Sequence, residues 1–358
     1  LLSLKINERK DNIPRLISGS QESTIPATIQ AVIMARIDRL PEGAKGVLQT
    51  GSVIEREFSY DLIKSVIDLP EQKLLSHLSA LKDFELLFER GIYPNSTYVF
   101  KHALTQEVSY NSLLKKRRKD VHSKIAGAME GLYSERLEEF YEKLAYHYLE
   151  SYNSEKARKY LKLSGDKAVE KYSNFEAFRF YEDLIHVLDQ LPDSEANKKE
   201  NIQARLSIFI PMRLMAFPGK SPEILKEGAR LANEIGDVES LNLFYSSLGK
   251  FYTFTGNIPK ARKYLEDCFQ ESSKTDDVNM IAPAIYDLTT LYGVIGEESK
   301  SIDLIPRVIR LLEDTRRESD FFDRTSCVYP NLLAMYGMCL GKIGNFKDGE
   351  RWCEKGLK

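Results

Sequence analysis

A glycine–lysine–serine triplet, a run of five cations, five histidines and four cysteines are the residues of this 358-residue chain whose types could do chemistry. Gly219-Lys220-Ser221 would cradle a nucleotide phosphate if it closed a glycine-rich loop between a strand and a helix, where backbone N–H groups and a lysine converge on the anion. That loop needs a glycine five residues before Gly219. Leu214 stands there, and Phe217-Pro218 lead into the triplet, so a helix-breaking turn is expected instead. Lys115 to Lys119 could meet nucleic acid or an anionic membrane, but a solvated helix face beside Glu135, Glu138 and Glu139 is the simpler expectation. His77, His122, His147 and His186 share no HxxxH or HExxH spacing and read as packing or surface residues, not metal ligands. Cys268, Cys327, Cys339 and Cys353 form no CxxC pair, which argues against a zinc site or a disulfide framework and fits a reducing, cytoplasmic setting. No Ser-His-Asp or cysteine-nucleophile set can be assembled, so the chain is expected to be no enzyme and to hold no catalytic residue, metal or cofactor by itself.

Composition narrows the classes further. Hydrophobic residues make up 42% of the chain and charged ones 29%, a balance that supports packed cores. The length suggests two or three globular units at roughly 100 to 200 residues each. No run of about 18 apolar residues occurs, so no membrane span is expected. Residues 1–125 carry 19 basic and 15 acidic side chains, leaving 32 and 38 for the remainder. Neither part has the basic excess of a dedicated nucleic-acid binder. The chain opens on Leu1 without methionine and closes on Lys358 inside a helical pattern, and it is expected to be a piece of a longer protein.

Hydrophobic spacing predicts how these residues are positioned. Residues 1–25 mix polar groups with Pro14 and Gly19 and read as a linker. Ile29, Val32, Ile33, Arg36, Ile37 and Leu40 follow a 3–4 spacing, which predicts an amphipathic helix. A second helix after Pro41 puts Ala44, Val47, Leu48, Gly51 and Ile54 on one face. Its glycines (Gly43, Gly46, Gly51) are expected to permit close helix–helix approach. Ser59 is placed to cap a short helix, and Leu74, Leu75, Leu78 and Leu81 form the buried stripe of another. Residues 85–90 and 97–101, parted by Gly91, Pro94 and Asn95, predict a β-hairpin. Helices followed by a two-stranded wing suggest a winged-helix-like domain over 26–125. Its presumptive recognition helix, Glu71 to Lys82, offers no arginine and is flanked by Asp83, Glu85 and Glu89, so DNA readout is not expected.

From residue 126 onward strand signals give way to an imperfect repeat. Leu144-Ala145, Tyr148, Ala157 and Leu161 match Leu248-Gly249, Tyr252, Ala261 and Leu265. They match again at Leu288-Thr289, Tyr292, Ser301 and Ile305, and at Tyr336-Gly337, Leu340, Gly349 and Cys353. Gly165 with Ala168, Ala177 and Tyr181 suggests a unit overlapping the first. Small residues at positions 8 and 20, with bulk at 7, 11 and 24, are the tetratricopeptide (TPR) pattern, in which small side chains let paired helices cross closely. The fold class expected is therefore mainly α: a small winged-helix domain with a β-hairpin, then an α-α superhelix of degenerate TPR-like repeats over 126–358. Stacked repeats leave a concave surface suited to a protein or peptide partner.

Several segments resemble a known family. They are Ile25 to Pro41, Val53 to Tyr60, Tyr98 to Tyr110, the basic stretch Leu113 to Lys119, and the helix around Leu144 to Tyr148. Together they resemble the region after the ATPase module of bacterial adenylate/guanylate cyclase-type signalling ATPases of the STAND class, similar in layout to soluble adenylyl cyclase. The resemblance covers about residues 25 to 185. It implies that ATP or ADP belongs to the parent protein, with the winged helix packing on an upstream ATPase domain and the repeats biasing that contact. It also implies that His102, in Tyr98-Val-Phe-Lys-His-Ala-Leu104, contacts the β-phosphate of ADP; Ala103 departs from the aspartate often found beside that histidine. An equivalent segment of a STAND-type transcriptional regulator, with its DNA-binding domain elsewhere, is the alternative.

Overall fold

The computed structural model describes residues 27–275, 277–322 and 327–357, so the linker expected over 1–25 lies outside the described residues. These residues fall into two compact units that divide between Ser164 and Gly165.

The first unit opens with α1 (Ala27–Asp38) and α2 (Glu42–Ile54), then β1 (Glu57–Ser59), α3 (Tyr60–Val66), α4 (Glu71–Asp83), β2 (Leu87–Arg90) and β3 (Thr97–Phe100). Ser59 caps α3 through its hydroxyl, which accepts from the Leu62 amide. Leu74, Leu78 and Leu81 are fully buried, while Leu75 is half-buried. The strands form one antiparallel sheet in the order β1-β3-β2, with Phe58 opposite Tyr98 and Leu87 opposite Phe100. The third strand, β1, was not expected; three residues are too few for an alternating pattern to register. Two further expectations need correction. Ile29 and Val32 on α1 are exposed, and only Ile37 and Leu40 of that stripe are buried. Of the α2 glycines, Gly43 lies against His77 and Gly51 against Phe58, but Gly46 faces open space.

Four helical segments complete this unit: α5 (Ala103–Asn111), α6 (Lys115–Leu132), a 3-10 turn (Ser134–Phe140) and α7 (Tyr141–Glu150). The helix α6 runs unbroken across residues 125 and 126. Next, α8 (Ser154–Glu170) carries the chain from the first unit into the second.

The second unit continues with α9 (Asn174–Asp189), α10 (Glu195–Ser207), α11 (Phe209–Leu214) and α12 (Ser221–Ile235). Three helical hairpins follow: α13 (Val238–Phe254) with α14 (Ile258–Ser273), α15 (Val278–Ile295) with α16 (Glu298–Asp314), and α17 (Val328–Lys342) with α18 (Phe346–Gly356). Each hairpin packs on the next, and its first helix also touches the first helix of its successor, giving α13 beside α15 and α15 beside α17. The core between them is apolar, with Ile285, Ile305, Leu312, Leu332 and Leu333 fully buried. Among the described residues α15 alone is long and apolar enough to cross a bilayer. It is instead a core helix, carrying a buried carboxylate, Asp287, that pairs with Lys250 at 3.0 Å.

Candidate functional site: His102 and the hairpin seams

Immediately after β3, His102 is the extended residue (φ −132°, ψ 135°) that opens α5. Its carbonyl accepts from the Thr105 amide at 3.0 Å, while its side chain makes no capping bond and lies exposed. Buried Tyr98, Val99 and Phe100 fix the strand beneath it, and Gln106 Nε2 donates to the Ser52 carbonyl at 3.2 Å. The backbone around the imidazole is thus held while the ring stays available. A neutral imidazole so placed can donate one N–H to a phosphate or carboxylate oxygen.

The other chemistry-bearing motifs are occupied differently. Gly219-Lys220-Ser221 forms the turn between α11 and α12, preceded by a helix and not a strand. Ser221 is buried and its hydroxyl donates to the Pro218 carbonyl at 2.6 Å. Of the five cations opening α6, Arg118 lies over the Tyr110 ring and donates to the Leu113 carbonyl, and Lys119 lies over Tyr152. On α4, Lys82 pairs with Glu89 at 2.5 Å. Hydrogen bonds from Tyr93, Lys64 and Tyr60 hold the Glu71 carboxyl below its usual range.

The repeat residues form one recurring seam. A Cβ built on Gly249 would meet Leu265 at 2.4 Å, on Gly165 would meet Tyr181 at 2.5 Å, and on Gly337 would meet Cys353 at 2.5 Å. Each glycine therefore seats the side chain 16 positions later. Gly228 of α12 seats Phe244 of α13 at the same offset, a seam the sequence pattern had not revealed. Gly337 comes equally close to the backbone carbonyl of Gly349. Where position 8 is alanine or threonine the seam is closed too: Ala145, Thr289 and their facing Leu161 and Ile305 have no exposed surface. Ala157, Ala177 and Ala261 are likewise buried.

In three of the repeats position 11 carries a tyrosine capped by a lysine eight residues on, while the fourth has Leu340 there. Lys156 lies 5.2 Å from the Tyr148 ring, Lys260 5.2 Å from Tyr252 and Lys300 5.2 Å from Tyr292. Tyr148 stacks on Tyr160 and Tyr252 on Tyr264, nearly parallel in both. Sequence reasoning missed these lysines, although a constant offset of eight was there to find. The turns repeat as well. Tyr152, Tyr172, Gly236, Gly256, Gly296 and Gly344 all have positive φ, and the residue after each returns its amide to a carbonyl five positions back. That is the helix-ending geometry glycine favours.

Two histidines expected to be isolated are in fact partners. His122 on α6 and His147 on α7 face one another with Nδ1 to Nδ1 at 2.8 Å, and both rings are buried. They stand 25 residues apart on different helices, so no local spacing could have announced the pair.

The geometry of the second unit defines its class: a stack of TPR-like helical hairpins. The sequence matches no protein-family model, and none of the curated proteins compared with it matches either. Solved structures with a similar course exist. One is BtubC (BKLC) from P. vanneervenii, 10% identical, with a TM-score of 0.47 over 69% of this chain and 91% of that one. Another is a signal transduction ATPase with numerous domains (STAND) bearing a tetratricopeptide repeat sensor, from Pyrococcus horikoshii; it is 15% identical, with a TM-score of 0.42 over 95% of this chain and 59% of that one. A third is a Rap protein complexed with Competence and Sporulation Factor, 10% identical, with a TM-score of 0.44 over 72% of this chain and 70% of that one. These are likenesses among stacks of paired helices.

Proposed function

We propose that this chain is a non-catalytic regulatory and protein-interaction segment of a STAND-type signalling ATPase of adenylate/guanylate cyclase type. In this reading the first unit is a winged helix that packs on the nucleotide domain of the parent protein, and the helical stack binds a protein or peptide. The observation that carries it is the row of first helices in the stack. Leu243 and Phe254 on α13, Val294 on α15 and Met338 on α17 are all exposed on helices that lie side by side. Solvent-facing apolar side chains on a rigid, repeated frame suit recognition and not bond-making.

Two further observations support the first half of the reading. The order α2-β1-α3-α4-β2-β3 with a three-stranded sheet supports the winged-helix reading. An exposed histidine stands where the resemblance requires one to reach a phosphate. A single imidazole fits one contact to ADP, and the Gly219-Lys220-Ser221 turn supplies no second, so this chain is read as contributing to a nucleotide site housed mainly elsewhere in the parent protein.

Partner capture tests the interaction role. The 358-residue chain as bait should retain a specific partner from the lysate of its source. The Phe254→Glu/Val294→Glu chain should lose at least tenfold of that capture with unchanged circular dichroism. Equal capture by both chains would refute the reading.

A further inference from the structure

Between α5, α6 and α7 lies a hydrogen-bonded chain that neither His102 nor the hairpin seams use. The Tyr110 hydroxyl is 3.2 Å from His122 Nε2, and His122 Nδ1 is 2.8 Å from His147 Nδ1. The two imidazoles are 0% and 2% exposed, and the Tyr146 ring packs against both at 5.4 and 5.3 Å. Two ring nitrogens this close require one proton between them. With that proton on His122, its Nε2 accepts from Tyr110. With it on His147, His122 Nε2 donates to the Tyr110 oxygen. Both arrangements keep the rings neutral. One further proton creates a buried imidazolium, and a second sets N–H against N–H and turns the bond into repulsion.

The charges around the pair do not favour protonation. Arg118 on α6 and Lys143 on α7 are the cations bearing on it. Glu55, at the end of α2, is paired with Lys143 at 2.7 Å, and Glu150 at the end of α7 is exposed. On α5, Glu107 is half-buried. On α2 and α3, Glu42, Asp61 and Lys64 are exposed and Lys45 pairs with Asp38, while Glu55 and Glu150 bear on the Tyr146 ring that packs against the pair. The 3-10 turn adds Glu135, Glu138 and the Arg136–Glu139 pair.

We propose that this buried imidazole pair is an acid-released latch, which when neutral ties the helix opened by His102 to α6 and α7, and when protonated lets α7 part from them. Burial, reinforced by Arg118, pushes His122 down to about 4. Burial, then His122 and Lys143, push His147 well below the ordinary value. The opened chain takes up protons at the ordinary histidine value of 6.5, before the closed one does. The closed state is therefore fully stable above pH 6.5 and loses stability as pH falls from there toward about 4.

The test is nitrogen NMR of the 15N-histidine-labelled 358-residue chain, with amide exchange corrected for intrinsic pH effects, between pH 7.5 and 4.5. We expect two coupled imidazole nitrogens sharing one proton, still neutral at pH 5.5, then protonating together as exchange in α5 and α7 rises at least tenfold. The His147→Phe chain keeps an aromatic ring but leaves only His122 to titrate, so its acid-induced exchange in α5 and α7 should shrink markedly. Arg118→Gln leaves the pair intact but lifts the closed-state His122 value toward the ordinary one, so it should move release to lower pH, an arm that stands even if His147→Phe fails to fold. Rings titrating singly at the ordinary value, unchanged acid response in His147→Phe, or an unmoved midpoint in Arg118→Gln would each overturn the proposal.

Discussion

The same substitution, glycine to alanine, should move stability in opposite directions at two helical sites. In α17, a Cβ on Gly337 would stand 2.5 Å from the Gly349 carbonyl oxygen, 2.5 Å from Cys353 Sγ and 2.9 Å from the Cys353 amide. Carbon contacts are comfortable only near 3.5 Å, so α18 must retreat by roughly 1 Å. The obstacle is backbone, which no rotamer change can clear. Overpacking of this kind costs about 1–3 kcal/mol, and alanine returns about 1 kcal/mol of helix propensity. The net expectation for Gly337→Ala is a loss centred on about 1 kcal/mol and reaching about 2 kcal/mol, confined to the α17–α18 hairpin. At Gly127 in α6 nothing lies within 4 Å of the added methyl, so only the propensity is felt. Gly127→Ala should therefore gain about 1 kcal/mol. Urea unfolding followed by circular dichroism reads both variants. The single tryptophan, Trp352, lies in α18 against Tyr336 and reports the hairpin alone. A Gly337→Ala chain as stable by Trp352 fluorescence as the parent would refute the idea that position 8 is a close-approach seat.

Two further outcomes follow from the geometry. Tyr172 sits at φ 56° with 87% of its surface exposed, so Tyr172→Gly removes a left-handed penalty of about 1–2 kcal/mol and gives back about 0.5–1 kcal/mol in unfolded-chain entropy. Its unfolding midpoint should rise in the same urea assay. On the proposed reading of this chain as part of a signalling ATPase, His102→Ala in that ATPase should release bound ADP at least tenfold faster without altering the fold of this chain; unchanged retention would refute a phosphate contact by His102.

What the sequence revealed, and what it hid, divides along the range over which the physics acts. The hairpin seams were legible because they are local: Gly249 and Leu265 belong to adjacent helices joined by a short turn, so a fixed offset in the chain becomes a fixed contact in space. The location of His102 was legible for the same reason, since the strand before it and the helix after it each announce themselves. Gly236, Gly256, Gly296 and Gly344 suit their left-handed turns by residue type, whereas Tyr152 and Tyr172 adopt the same geometry with a side chain. There the flanking helices impose the turn and the tyrosine bears the strain. The strand β1 was hidden because its three residues acquire their conformation from pairing with β3, some forty residues downstream, and not from their own pattern. The His122–His147 pair was hidden most completely. Each histidine alone looks like an ordinary buried position on an amphipathic helix, and nothing in either sequence neighbourhood specifies that the other imidazole will close upon it. Only the packing of α6 on α7 creates the shared proton. A polar contact of that kind costs desolvation that no helix would accept alone, which is why its presence at the junction of three helices argues for a role beyond filling space.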